Sequence, residues 1–367
     1  VITAPDEYPI HQIPEPIAFS GTDRNFYDRY FFNGFNPDGS EYFAVALGVY
    51  PHLNIADAHF SVVRDGIQHC IHASQFLGAS RMNLDIGPIS IRILEPLQRL
   101  RVTLAPTDGI AADVLFEGRA FPIHEPRFTH RFGTRTFMDL TRMTQNVRVA
   151  GWIEIDGAQR DLSAGALGTR DRSWGVRGIG APDLQPLAPP SVPAIFWIWA
   201  PLHVGRTNYF FHVMAQANGE IWNTRAVLCA DGAGAADAVC AHGAHIDVVL
   251  ESGLRHCASG IIHVPLRDRA IDIHLKPRAR FQMQGIGYGH PQWAHGLNHG
   301  ELCVAREDLV LNNLDPLAPE NLHVQDFVEV LVKQTGRADE TGIGSFEQAI
   351  IGPYEPLRLG PTGAAAP

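Results

Sequence analysis

At 367 residues the chain has room for two ordinary domains or one large β unit, and 45% hydrophobic against 19% charged residues is the balance of a packed globular protein. A formal charge of −10 sets it against phosphate backbones and acidic lipid surfaces. No apolar run reaches the ~18–20 residues of a membrane helix, so neither nucleic-acid binding nor membrane insertion is expected.

In chain order the repeated unit is a short run of β-branched and aromatic residues, a tight turn, and another such run. Residues 26–35 and 41–50 flank Asn36-Pro37-Asp38-Gly39. Asp65-Gly66, Asp108-Gly109, Asp156-Gly157, Asn218-Gly219 and Asp231-Gly232 repeat the device, since Asp or Asn before Gly tolerates the positive φ angles of a hairpin turn. Helical periodicity is scarce; residues 136–147 read as either helix or strand, and 35 glycines with 26 prolines disfavour long helices. The expectation is an all-β chain of antiparallel meanders.

The Pro- and Gly-bearing stretch 178–193 cannot pair as a central strand and predicts a linker, 181–193, between an N-terminal β domain, 1–180, and a C-terminal one, 194–359, followed by a loose tail, 360–367. The five cysteines, Cys70, Cys229, Cys240, Cys257 and Cys303, are widely spaced without CxxC. Together with a start that lacks an export signal, they point to a reduced, cytoplasmic protein, with an exported mature form left open. Only Lys276 and Lys333 are lysines among 29 basic residues, which leaves few Schiff-base candidates and suggests a GC-rich bacterial source.

Chemistry concentrates in two places. In Gly168-Thr169-Arg170-Asp171-Arg172-Ser173-Trp174-Gly175 a carboxylate sits between two guanidinium groups with an aromatic close behind. Either Asp171 clamps an arginine and Trp174 fills core, or both lie in a functional pocket. Strand alternation would put Arg170 and Arg172 on the face opposite Asp171. The second place is the glycine-rich stretch 285–301, which carries Tyr288, His290, Trp293, His295, His299 and Glu301. Its histidines follow no helical zinc pattern, so no metal is expected; His295 and His299 are candidate proton carriers. Tyr27 belongs to an aromatic run at 26–35 that suits either a flat ligand or ordinary core.

Gly151 to Gly157, Asp161-Leu162 and Gly168 through Gly175, followed by Trp197-Ile198-Trp199-Ala200-Pro201-Leu202, resemble the carotenoid 1,2-hydratase/AttH-like proteins of the calycin, or lipocalin-like, group. Arg172 stands where many members have His, and Arg170 replaces their usual aromatic. The resemblance implies two tandem lipocalin-like barrels or half-barrels around a hydrophobic small molecule. It also implies a cofactor-independent lyase or isomerase: a hydratase, dehydratase or acid-initiated cyclase working on an isoprenoid or polyketide. Under it Asp171 would donate the proton, and Trp174, Arg170 and Arg172 would lie at the substrate; the residue reading adds His295 and His299 as proton carriers and Tyr27, Tyr288, His290 and Trp293 as substrate-binding side chains. A non-catalytic carrier of a hydrophobic ligand is the alternative, and a polysaccharide-active β protein a third. No Walker loop, Gly-x-Ser-x-Gly elbow, His-Glu-x-x-His or dinucleotide fingerprint occurs, so no cofactor is expected.

Overall fold

Three of the Asp-Gly pairs make hairpin turns in which both residues take positive φ: Asp65 and Gly66 (53° and 81°), Asp108 and Gly109 (46° and 82°), and Asp156 and Gly157 (49° and 82°). Such turns match the right-handed twist of the strands they join. The computed structural model describes residues 2–9, 23–78, 80, 82–162, 164–182, 194–267 and 269–361. Most of the expected linker and all but the start of the expected tail lie outside them.

Strands run β1 (Phe26–Phe35), β2 (Tyr42–Tyr50), β3 (Ile55–Arg64), β4 (Ile67–Phe76), β5 (Asp85–Ile86), β6 (Ile89–Glu95), β7 (Arg99–Thr107), β8 (Ile110–Gly118), β9 (Ile123–His124), β10 (Phe128–Phe132), β11 (Arg135–Ile155), β12 (Ala158–Asp161) and β13 (Leu167–Arg177). They continue as β14 (Ile195–Val204), β15 (Thr207–Ala215), β16 (Ile221–Ala230), β17 (Val239–Ala241), β18 (His245–Leu250), β19 (Cys257–Pro265), β20 (Ala270–Gln282), β21 (Leu302–Val310), β22 (His323–Gln334) and β23 (Glu340–Ile351). The only helical pieces among the described residues are short 3-10 turns. The chain is all-β, and residues 136–147 fall inside β11.

Two antiparallel sheets result. The first runs β21-β4-β3-β2-β1-β13-β11-β8-β7-β6-β5, with β9, β10 and β12 also on β11; the second runs β17-β16-β15-β14-β23-β22-β20-β19-β18. The compact units are Val1–Pro182 with Gln284–Asn312, and Asp183–Met283 with Asn313–Pro367. They differ from the sequence division in one respect. The segment 284–312, read as part of the C-terminal half, belongs to the first unit, because β21 pairs with β4 along its whole length.

The first sheet curls until its ends approach. The Gln75 side chain donates to the Asp85 carbonyl (3.2 Å) and accepts from the Gly87 amide (3.1 Å). Tyr30, Phe32, Phe43, Phe60 and Phe116 fill the interior with aliphatic neighbours, the Phe32 and Phe116 rings lying 4.7 Å apart. The aromatic run of β1 is therefore split by alternation, with Tyr30 and Phe32 in this core and Tyr27 on the other face. The second unit has its own core around Ile198, Phe211, Val328 and Phe346.

Arg170 and Arg172 project to the interior side, opposite Asp171, and meet buried carboxylates there. Arg170 donates to Glu7 (2.8 Å) and to the Gln145 side-chain oxygen (2.7 Å). Arg172 donates to Asp28 and to the Arg29 carbonyl (2.8 Å), with its guanidinium 3.9 Å over the Tyr30 ring. Asp28→Asn should lower stability by about 3–5 kcal/mol, because it strands the Arg172 cation in low dielectric. Asp85→Asn, which breaks the half-exposed pair with Arg92, should cost under about 1 kcal/mol. Chemical denaturation of both variants checks the contrast.

Candidate functional site

The register of five neighbouring strands and β21 lines up two rows of side chains on the face turned away from the aromatic core. One row is Asp171, Phe31, Ala46, His59, His72 and Ala305; the next is Ser173, Arg29, Gly48, Asp57, Ser74 and Cys303. Side chains of like parity share a face, so Arg29, Asp57, His59 and His72 converge although they come from three strands. The glycine-rich stretch after residue 284 packs over them. It is held by the Gly296 amide on Asp57 Oδ2 (2.7 Å), by Ser74 Oγ on the Leu297 carbonyl (3.2 Å) and by the Gly180 amide on the His295 carbonyl (2.6 Å).

Asp57 sits at the centre. Tyr50 donates to its Oδ1 (2.9 Å), and His59 Nε2 and His295 Nδ1 lie 3.8 and 3.9 Å from the same oxygen. Burial pushes the Asp57 carboxyl up to about 6, against the opposing pull of the Gly296 amide, Arg29 and Tyr50. Burial likewise holds His59 well below the ordinary imidazole range, with His72 adding to the effect, and it lowers His72 too. Both rings are thus neutral near pH 7. Gly287 has φ +92°, and a Cβ there would lie 2.6 Å from His295 Cε1 and 2.9 Å from His59 Nε2. Glycine lets the loop backbone approach these rings closely.

The cation of the site is Arg29. It is 1% exposed, its guanidinium lies 4.3 Å over the Tyr288 ring, and its three nitrogens have no hydrogen-bond partner among the described residues. Arg177 stacks near the same ring (5.5 Å) and over Tyr27 (4.5 Å). Tyr288 in turn meets His295 edge to face at 4.9 Å.

On the other side of His59 the histidines are chained. His59 Nδ1 and His72 Nδ1 are 2.9 Å apart, His72 Nε2 is 3.4 Å from Glu307 Oε2, and His290 Nε2 is 2.9 Å from that same oxygen. The hydrogen bond from His290, with His72 facing the same carboxylate, holds Glu307 down to about 2. Trp293 stacks on His72 (5.3 Å), and His299 stacks on the outer side of Trp293 (4.1 Å).

Of the residues singled out in the sequence, Tyr27, Tyr288, His290, Trp293 and His295 are brought together here. His299 stands behind the Trp293 ring. Asp171 shares the face and the row of His59 but lies three strands away, where Arg142 donates to its carboxylate at 2.6 Å. Arg170 and Arg172 are in buried ion pairs on the opposite face, and Trp174 packs with Ile2, Leu97 and Met143. Sequence reasoning passed over Arg29, Tyr50, Asp57, His59, His72, Arg177 and Glu307. The available signal was parity: Asp57, His59 and His72 are polar residues recurring at every second position of otherwise apolar strands.

Two buried groups have donor sets of a metal-binding kind, Asp57/His59/His295 and His72/His290/Glu307, their donor atoms within 4.8 Å of one another. In the second, His290 Nδ1 accepts the Gln292 and Trp293 amides (3.0 and 2.8 Å). A neutral His290 therefore carries its proton on Nε2, the atom a metal would need. In the first, both Asp57 oxygens already accept hydrogen bonds. Both sets fit proton handling better than ligation.

The fold is of the AttH-type lipocalin-like class. It superposes on kievitone hydratase from Nectria haematococca with a TM-score of 0.52 at 11% identity, over 88% of each chain. It also superposes on CghA (0.54, 10% identity, 94% of this chain and 95% of that one). A protein designated AttH from Nitrosomonas europaea gives 0.50 at 11% identity, over 92% and 97%. At such identities the likeness is one of fold. A search of curated protein sequences finds no match. The chain belongs to a family of unknown function, DUF8625, whose model matches residues 2–360.

Because the Asp57 carboxyl is raised in the folded state, its contribution to stability is fully present below its unfolded value and is lost as the pH rises through about 6. Asp57→Asn removes that dependence. The difference in unfolding free energy between wild type and variant should move against the wild type between pH 4 and pH 8, by up to about 3 kcal/mol. Denaturant titrations at the two pH values measure it.

Proposed function

We propose that this protein is a cofactor-independent lyase or isomerase, a hydratase, dehydratase or cyclase, acting on an unsaturated hydrophobic small molecule of the isoprenoid or polyketide kind. The observation that carries the reading is the Arg29 guanidinium, buried without a hydrogen-bond partner among the described residues and beside a proton-handling cluster. An unpaired buried cation is costly, and an oxygen of a bound molecule would meet that cost. A carbonyl conjugated to the reacting double bond has such an oxygen. Arg29 would stabilise the negative charge that develops on it as an enolate forms. The cluster of Asp57, His59 and His295 would move the proton. For hydration, water adds its oxygen to the β carbon and gives one proton to the cluster, and the α carbon of the enolate then takes a proton back. Dehydration is the reverse.

That Nectria haematococca kievitone hydratase shares the fold supports the reading, as does the apolar and aromatic setting of Tyr27, Tyr288 and Trp293. Incubating the protein in deuterium oxide with a panel of isoprenoid and polyketide enones, followed by NMR, should show deuterium entering the carbon next to the carbonyl. Arg29→Met should lower kcat/KM on any responding substrate by about a hundredfold or more with the fold retained. Full activity in that variant would remove Arg29 from the chemistry. An apolar ligand retained through purification, seen by native mass spectrometry without any turnover, would favour the carrier reading.

A further inference from the structure

We propose that His59 Nε2 is the general base of this site, and that His72, Glu307 and His290 are positioning residues that fix its protonation through a chain of polar contacts anchored on loop backbone amides. The inference rests on the acid–base reading above and deepens it by naming the atom that takes the proton.

The chain is read from its anchored end. The Gln292 and Trp293 amides both donate to His290 Nδ1, and a backbone N–H has no other role to play, so this nitrogen must be the acceptor. The His290 proton is then on Nε2 and is donated to Glu307 Oε2 at 2.9 Å. Glu307 is half-exposed and ionised, and an ionised carboxylate only accepts. His72 Nε2 lies 3.4 Å from that oxygen without a formed hydrogen bond, and the negative charge facing it favours the tautomer with the proton on Nε2. The opposite tautomer would aim a lone pair at a negative oxygen. A neutral His72 protonated on Nε2 has a bare Nδ1, and the 2.9 Å contact to His59 Nδ1 becomes a bond that His59 donates. A neutral His59 protonated on Nδ1 has its lone pair on Nε2.

That atom is where a base is useful. It is buried, has no hydrogen-bond partner among the described residues, and lies against Gly287, where no side chain fits between backbone and ring. Asp57 Oδ1 stands 3.8 Å away, close enough to stabilise the imidazolium formed when Nε2 takes a proton and too far to occupy the lone pair beforehand. Burial and the neighbouring His72 keep the resting ring neutral. Trp293, stacked on His72, screens the middle of the chain from water. A histidine ordered by a second group is the usual arrangement of an activated base; here the ordering passes through a second imidazole and ends on the backbone.

The test needs no substrate. In long-range nitrogen–proton NMR spectra of the full chain labelled on histidine nitrogens near pH 7, His59 should show the Nδ1–H tautomer, and His72 and His290 the Nε2–H tautomer. Signals are assigned by single His→Gln changes. Finding His59 protonated on Nε2 would overturn the proposal. Glu307→Gln removes the charge that orders His72 and should bring a clearly detectable Nε2–H population to His59. Asp308→Asn, whose carboxylate turns to the opposite face toward His69 and Arg306, should leave His59 unchanged. A His59 pattern indifferent to Glu307→Gln would break the chain as an explanation. The tautomers are read without turnover, so failure to find an enone substrate and failure of this chain are separate results.

Discussion

The functional face depends on the pairing register of β13, β1, β2, β3, β4 and β21. Side chains alternate along each strand, so a single register sends Tyr30, Phe32, Phe43 and Phe60 into the core and Arg29, Asp57, His59 and His72 to the other side. A slip of one residue in β3 would exchange the two sets, driving Asp57 and His59 among the phenylalanines and Phe60 out of them. The aromatic core thus specifies the site without touching it. Hydrophobic burial on one face is what holds polar residues from strands far apart in sequence within reach of one another on the other.

Burial also sets the chemistry. In water Asp57 would be fully ionised at pH 7 and the histidines would titrate near their ordinary value. On this face the carboxyl is raised to about 6 and the imidazoles are lowered, so the acid moves toward neutral pH while the resting imidazoles stay uncharged. Perturbed groups of this kind cluster where proton transfer takes place. The buried ion pairs on the interior side, Arg170 with Glu7 and Arg172 with Asp28, are electrostatically as demanding but closed: each charge has its partner. Arg29 differs in presenting three donors to the site.

The all-β fold was legible because its determinants are local. Asp-Gly turns, β-branched runs and the absence of a helical period are each visible within a dozen residues. Alternation around Asp171 was legible for the same reason, and it separates Arg170 and Arg172 from that carboxylate as expected. The glycine-rich stretch at 285–301 was recognisable by its density of histidines and aromatics. Its partners were not, because Asp57 and Gly296 are 239 positions apart and nothing local in either strand announces the other. For the same reason the first unit takes β21 from a segment that interrupts the second unit in sequence: a strand's own sequence carries its face pattern but not the identity of its neighbour.

The density of chemistry around Asp171 drew attention to a carboxylate that Arg142 engages, while Asp57, on the same face, lay in a segment whose sequence reads as ordinary strand. On the proposed reading a ligand's oxygen meets Arg29 on this outer face and not the aromatic interior. A crystal structure with a flat hydrophobic enone, with chalcone as the probe, tests it most directly. The carbonyl oxygen should lie within hydrogen-bond distance of the Arg29 guanidinium, with the enone carbons over Gly287, facing His59 Nε2. Chalcone seated among Phe32, Phe43, Phe60 and Phe116 inside the barrel, with Arg29 untouched, would contradict it.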